Sequence, residues 1–392
     1  MPRTWNFIHE SLQEQATQGK YRKLKVIEAG QAGSISIAGS HRLNLSSNDY
    51  LQLASDRQVQ KVAESYLQQY GTGSTASRLI SGTWSYHQEL EEKLSHWLAK
   101  ESVLLFNSGY QLNCSLIPAI SNRDTHLYFD KLNHNSLVQG AILSRAKLHR
   151  YRHLDYQHLE QILKQESAET RKIIVTESVF SMDGDVADIT RLVEIAKRYN
   201  AMLIVDEAHA IGVMGDEGRG LAYQLDDVDM VIGTFGKAFG SFGAYVACSN
   251  ELREYLINFC SGFIYTTALP PAVIGATIGA LERIQSMQNE RAYLAGLGIW
   301  FRGELKHLGL DYLNSSSHII PIIIGSEQDT MRISQHLSDH GFMCQAIRPP
   351  TVESGKSRLR VTLNSAITKE HLTKFLQVIQ KAVSSDHDTF QG

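Results

Sequence analysis

The chain predicts an α/β fold: a large domain on a mostly parallel sheet, a smaller α+β C-terminal domain and a leading N-terminal segment. Three observations predict it. Short apolar runs alternate with amphipathic stretches of about a dozen residues through the middle of the chain, the pattern of βαβ units. Near residue 285 the texture changes to an α+β pattern. The length, 392 residues, is more than one ordinary core accommodates. The expected divisions are 1–50 for the N-terminal helix and small sheet, 51–284 for the large domain and 285–392 for the C-terminal domain.

The opening MPRTWNFIHESLQEQATQGKYRKLK reads as an amphipathic helix with Trp5, Ile8 and Leu12 on one stripe. SISIAG and HRLNLSSNDYL follow as a small sheet. YHQELEEKLSHWLAK is a helix, and VLLFNSG is a short apolar strand ending at glycine. THLYFDK, KIIVTESVF, AMLIVDEAH and DMVIGTFGK are further strands, and DITRLVEIAKRYN is a helix capped by its Asp. In the last third come the strand SHIIPIIIG, a helix over 329–340, the strand SRLRVTLN and the final helix KEHLTKFLQVIQKAV.

Composition narrows the function classes. A hydrophobic share of 43% with 20% charged residues is that of a soluble globular protein, and a net charge of -3 gives no footprint for nucleic acid or membrane. Cys114, Cys248, Cys260 and Cys344 are scattered without CxxC spacing, so neither zinc nor a disulfide framework is expected. No secretion signal or apolar run of about 18 residues is present, so a cytoplasmic location is expected.

In a parallel sheet, ligands gather beyond the carboxyl ends of the strands. Those ends carry Ser108, Gly109 and Tyr110, then His134, then Glu177 and Ser181, then Asp206 and His209, then Thr234 and Lys237. Taken singly, each has a bland reading: a turn former, a structural histidine, a turn lysine. Jointly, Asp-x-x-His at 206–209 followed by Thr-x-x-Lys at 234–237 suits a Schiff-base lysine with pyridoxal phosphate (PLP). A glycine-rich apolar setting lowers the Lys237 pKa, and a carboxylate at Asp206 keeps a pyridine nitrogen protonated. Competing motifs fail. GTGSTA at 71–76 follows a helical stretch rather than a strand, and GTFGKA lacks P-loop spacing. No GxSxG nucleophile elbow occurs, and no HExxH or paired-carboxylate set appears, so no metal is expected.

The stretches SSNDYL, SGTWSYHQELEEKL, VTESVFSMDGD, VDEAHAIGVMGDEGRG and GTFGKAFGSFGA resemble the α-oxoamine synthases, a fold-type-I PLP-dependent family, over about residues 5–380. The resemblance implies that Lys237 carries the Schiff base, Asp206 pairs with the pyridinium nitrogen and His134 stacks on the ring. It puts His209 and Ser181 at the phenolic oxygen. Gly109 and Tyr110 would supply the backbone cradle and an edge contact from the aromatic at 110, and Thr234 would bind the phosphate, with Thr266 reaching it from a neighbouring subunit of a homodimer. Arg360 would hold an amino-acid carboxylate, Asn48 would lie near the reacting centre, and Arg22 and Thr351 would touch the acyl substrate. Phe235, Gly243–Ala244 and AIRPPTVESGKSRLRVTL resemble the members that condense L-alanine with a pimeloyl thioester in biotin biosynthesis. The thioester carrier would be CoA or an acyl-carrier protein. Relatives that use glycine or serine with other acyl chains remain alternatives, as do an aminotransferase and a non-catalytic PLP-binding protein.

Overall fold

The computed structural model describes residues 5–18, 20–31 and 33–384. In chain order its strands are β1 (Ala29–Gln31), β2 (Ser34–Ile37), β3 (Ser40–Asn44), β4 (Ser102–Phe106), β5 (His126–Asp130), β6 (Lys147–Tyr151) and β7 (Lys172–Glu177). They continue with β8 (Ala201–Asp206), β9 (Met230–Thr234), β10 (Ala244–Cys248), β11 (Ile319–Gly325), β12 (Phe342–Met343), β13 (Gln345–Ile347) and β14 (Ser357–Thr362).

The central sheet has the order β4-β10-β9-β8-β7-β5-β6. Its strands run parallel except β10, which is antiparallel to both β9 and β4. Alternate residues go to opposite faces, as the two-residue period of a strand demands. Val103, Leu105, Ile174, Leu203, Val205 and Val231 join one core beneath the helices Ser85–Leu98 and Pro271–Ser286. Leu104, Phe106, Ile173, Val175, Ile204 and Ile232 join a second core beneath Gly109–Ile120 and Asn135–Ser144. Cover on both faces explains why β4, β5, β7 and β10 are buried along their whole length.

The remaining strands form two small sheets, β11-β14-β13 and β1-β2-β3-β12. In the second, β12 pairs in parallel with β3, which ties the N-terminal strands to the C-terminal part of the chain. Cys248, Cys260 and Cys344 are buried, Cys114 is half-buried, and all four are free thiols.

Three elements differ from the sequence reading. The first helix covers only Asn6–Thr17 and buries none of its residues. No large apolar residue stands between Leu12 and Tyr21 to carry its stripe further. Strand β6 has the sequence KLHRY, too polar to read as a strand, because it is the sheet edge with much of its length open to water. Strand β10 follows directly on the glycine-rich lysine loop and was masked by it.

Candidate active site

The strands deliver their polar residues to one end of the sheet. Asp206 closes β8, Glu177 closes β7 directly opposite it in register, and Lys237 lies three residues beyond β9. His134 follows β5 and caps the helix Asn135–Ser144, its side chain accepting from the Ser136 N–H. Gly109 and Tyr110 open the helix after β4, capped by Ser108.

One cavity collects Asn48, His134, Ser181, His209, Lys237 and Arg360, six of the residues expected from sequence. Its wall also includes Ser46, Met182, Gln345 and Ile347, which sequence reasoning missed. Lys237 Nζ lies 2.8 Å from His209 Nε2, and His209 Nδ1 lies 2.6 Å from the Tyr50 hydroxyl. Tyr50 donates to Asn48 Oδ1 at 3.2 Å. That direction leaves Tyr50 accepting from the Nδ1–H of His209, so Nε2 keeps the lone pair facing Lys237. Tyr50 belongs to the SSNDYL stretch and is fully buried. Its position in a polar motif was the signal that could have found it.

The neighbouring carboxyls differ in setting. Asp206 accepts from Asn113 Nδ2 at 2.9 Å and from the Ala208 N–H at 2.9 Å, so both of its oxygens are held. Asn113 also donates to Ser136 Oγ at 3.0 Å, which contacts His134 Nδ1 at 2.8 Å. Glu177 accepts the His134 N–H at 2.5 Å. Burial, and next the charge of Asp206, raise the Glu177 carboxyl well above the usual range. Burial thus disfavours the charged form of Glu177. Burial lowers the Lys237 amine to about 8, with Arg360 acting the same way against the pull of Asp206 and Glu177. Burial, then Lys237, hold His209 well below the ordinary imidazole value.

Thr234 Oγ1 donates to the Gly243 carbonyl at 3.0 Å and accepts the Gly236 N–H at 3.2 Å. A methyl group on Gly109 would stand 3.9 Å from Thr234 Cβ, so the helix start and Thr234 border the same space. An exposed helix N-terminus beside a threonine is a ready anion cradle. Arg360 is held by the Ser181 carbonyl at 2.6 Å and the Thr362 hydroxyl at 2.8 Å. Its outer nitrogens stand 3.4 and 3.5 Å from Asn48 Oδ1. These residues fit PLP: an amine of low pKa, a fixed carboxylate, an aromatic ring and an anion cradle at the ends of adjacent strands.

Seven expected residues do not line this cavity: Asp206, Gly109, Tyr110 and Thr234 at the neighbouring strand and helix ends, and Arg22, Thr351 and Thr266. Arg22 lies exposed in an irregular stretch after the first helix. Thr351 sits in an exposed turn, its N–H bonded to the Arg348 carbonyl. Thr266 accepts from Asn107 Nδ2 at 2.9 Å, at the end of β4. Tyr110 borders the helix start but is 54% exposed.

Residues 40–379 match the family model described as aminotransferase class I and II. The chain belongs to that family. Within it, the chain is 43% identical over 361 residues to 8-amino-7-oxononanoate synthase of Geobacter sulfurreducens, covering 91% of this chain and 92% of that relative. It is 41% identical over 377 residues to the enzyme of the same name from Citrifermentans bemidjiense, covering 95% and 97%. Among solved structures it is similar to a serine palmitoyltransferase from S. paucimobilis with a bound PLP–myriocin aldimine. That match has a TM-score of 0.91 and 26% identity, covering 97% of this chain and 98% of the other. It is also similar to 8-amino-7-oxononanoate synthase from Francisella tularensis, with a TM-score of 0.78 and 28% identity over 88% of this chain and 99% of the other. The fold of this aminotransferase-family chain is the fold-type-I PLP-dependent transferase fold.

Proposed function

We propose that this chain is a PLP-dependent C-acyltransferase that condenses L-alanine with a pimeloyl thioester. The products are 8-amino-7-oxononanoate, CO2 and a free thiol, a step of biotin biosynthesis. The observation that carries the reading is Lys237 and Arg360 on one cavity wall, an amine and a carboxylate receptor, in a chain 43% identical to a synthase of that name.

When bound, PLP supplies an electron sink for the pair left by a bond breaking at the amino acid's Cα. Asp206, held on both oxygens, would pair with the pyridine nitrogen. His134 would cover the ring face, and His209 with Ser181 would meet the phenolic oxygen. Gly109 and Thr234 would hold the phosphate, with Tyr110 at the edge of the ring. Arg360 takes the alanine carboxylate by exchanging its long contacts to Asn48 for a bidentate pair. Fixing the carboxylate also selects which Cα bond lies perpendicular to the ring and breaks. Lys237 removes the Cα proton at Nζ. Cα then bonds to the thioester carbonyl carbon, and the C–S bond breaks with its electron pair leaving on sulfur. The bond from Cα to the carboxylate breaks next, releasing CO2, and Lys237 returns a proton to Cα.

The active unit in this reading is a cytoplasmic homodimer, with Thr266 of one subunit reaching the phosphate held by the other. Arg22 and Thr351 contact the acyl chain, and the thioester arrives on CoA or an acyl-carrier protein. Among the described residues, no helix is long and apolar enough to cross a membrane. The likeness to serine palmitoyltransferase favours a second reading, in which serine and a long acyl chain are the substrates.

A matrix of alanine, glycine and serine against pimeloyl, acetyl and palmitoyl thioesters, read as kcat/KM, tests the proposal. Alanine with pimeloyl thioester should lead. Glycine should remain detectable, because one methyl group in an apolar pocket is worth only about 1–3 kcal/mol. A lead for glycine with acetyl-CoA, or for serine with palmitoyl-CoA, would overturn the biotin assignment and leave the PLP site standing.

A further inference from the structure

At the end of the sheet opposite Lys237, β5 begins with His126, and His149 lies on the neighbouring β6. In the parallel register His149 stands beside Tyr128, so all three side chains share one face. The His149 ring is stacked between two others. It lies 5.0 Å from His126 at 29° and 5.0 Å from Tyr128 at 12°. Glu166 completes the cluster from the turn before β7. Lys172 Nζ braces that turn by donating to the carbonyls of Ser167 at 2.7 Å and Thr170 at 3.1 Å.

Three atoms converge there. His126 Nδ1 is 3.1 Å from Glu166 Oε1 and 3.2 Å from His149 Nε2, and His149 Nε2 is 4.0 Å from Glu166 Oε1. Hydrogen bonding alone serves this triangle poorly. If His126 Nδ1 carries a proton, two acceptors compete for it. If it does not, it accepts from His149, and its lone pair is then set against the Glu166 oxygen. A cation between them takes a lone pair from each.

We propose that His126, His149 and Glu166 form a divalent transition-metal site suited to zinc. Around a tetrahedral zinc with bonds of about 2.0–2.1 Å the ligand atoms stand about 3.3–3.4 Å apart, so the two edges at His126 nearly fit as they stand and the 4.0 Å edge between His149 and Glu166 closes by about 0.6 Å on binding. Two imidazoles and one carboxylate, with a solvent position left open, make a donor set that zinc accepts. The side chains of Glu166 and His149 are 22% and 31% exposed, so a water can fill the fourth position. The site departs from the sequence expectation of no metal. Its ligands stand 23 and 17 residues apart, and only the pairing of β5 with β6 and the return of the turn before β7 unite them.

The test is equilibrium dialysis of chelator-treated, PLP-loaded protein against zinc chloride. One zinc ion per chain should bind. His149→Ala and Glu166→Gln should each weaken binding at least about 100-fold, beyond the 10–100-fold typical of losing an outer-shell partner. The PLP absorbance reports folding, and Glu166→Gln in its half-exposed turn decides the matter if the histidine variant fails to fold. The pair His336 and His340, with rings 4.2 Å apart at the end of the helix Glu327–Asp339, is the competing site. Absence of stoichiometric binding would overturn the proposal. So would loss of binding in His336→Ala with Glu166→Gln unaffected.

Discussion

Lys237 is half-buried beside Arg360 and His209, and both burial and the guanidinium press its amine toward the neutral form at about 8. Below that pH the group is an ammonium and cannot attack a carbonyl; above it the amine is free. In the apoprotein, acetylation of Lys237 by a trace reagent should therefore rise with pH and level off above about 8. A rise continuing to the ordinary lysine value of 10.5 would contradict the role given to burial. Asp206→Asn should still bind PLP but slow exchange of the alanine Cα hydrogen in heavy water by on the order of 100-fold, since a neutral amide cannot hold the pyridine nitrogen protonated. Exchange at the wild-type rate would make Asp206 purely structural. That Lys237, Asp206, His209 and His134 gather at one end of the sheet was legible in the sequence because each follows an apolar run read as a strand, and ends of parallel strands meet in one crevice. Asn113 was not, because its task is to bond Asp206 across the fold, and that pairing leaves no local pattern.

At the scale of the element, β9 carries the lysine loop, and its packing on β10 sets where that loop begins. Gly233 pairs with Tyr245, and a Cβ there would stand 2.2 Å from the Tyr245 ring carbon Cζ. Tyr245 is fully buried, so the ring has no room to move aside. Gly233→Ala should therefore lower the stability measured by chemical denaturation by about 1–3 kcal/mol, the usual cost of overpacking. Gly73→Ala, with nothing within 4 Å, should change it by no more than about 0.5 kcal/mol. Equal effects would contradict the packing account. The buried strands β4, β5, β7, β8 and β9 could be read from their apolar runs, whereas β6 could not. An edge strand need not be apolar, and the hydropathy of KLHRY is that of a loop.

For the whole molecule, the first helix leaves Trp5, Phe7, Ile8 and Leu12 between 45% and 63% exposed, and Tyr265, next to Thr266, is 84% exposed. Apolar surface of this kind suits the expected homodimer. Mixing Lys237→Ala chains with Thr266→Ala chains should restore about a quarter of wild-type activity, because half of a random mixture is heterodimer and each heterodimer has one intact shared site. No restoration would mean that each subunit completes its own site. How subunits share residues is invisible in one chain's hydropathy, which is why Arg22, Thr351 and Thr266 rest on resemblance while the cavity residues also have geometry. The most direct measurement of the central claim is a carbon and sulfur balance. The protein is incubated with pimeloyl-CoA and L-alanine labelled at the carboxyl carbon. One labelled CO2 released per free thiol, with the amino group retained in the product, is the result the account predicts. Thiol release without CO2, or conversion of alanine to pyruvate, would contradict it.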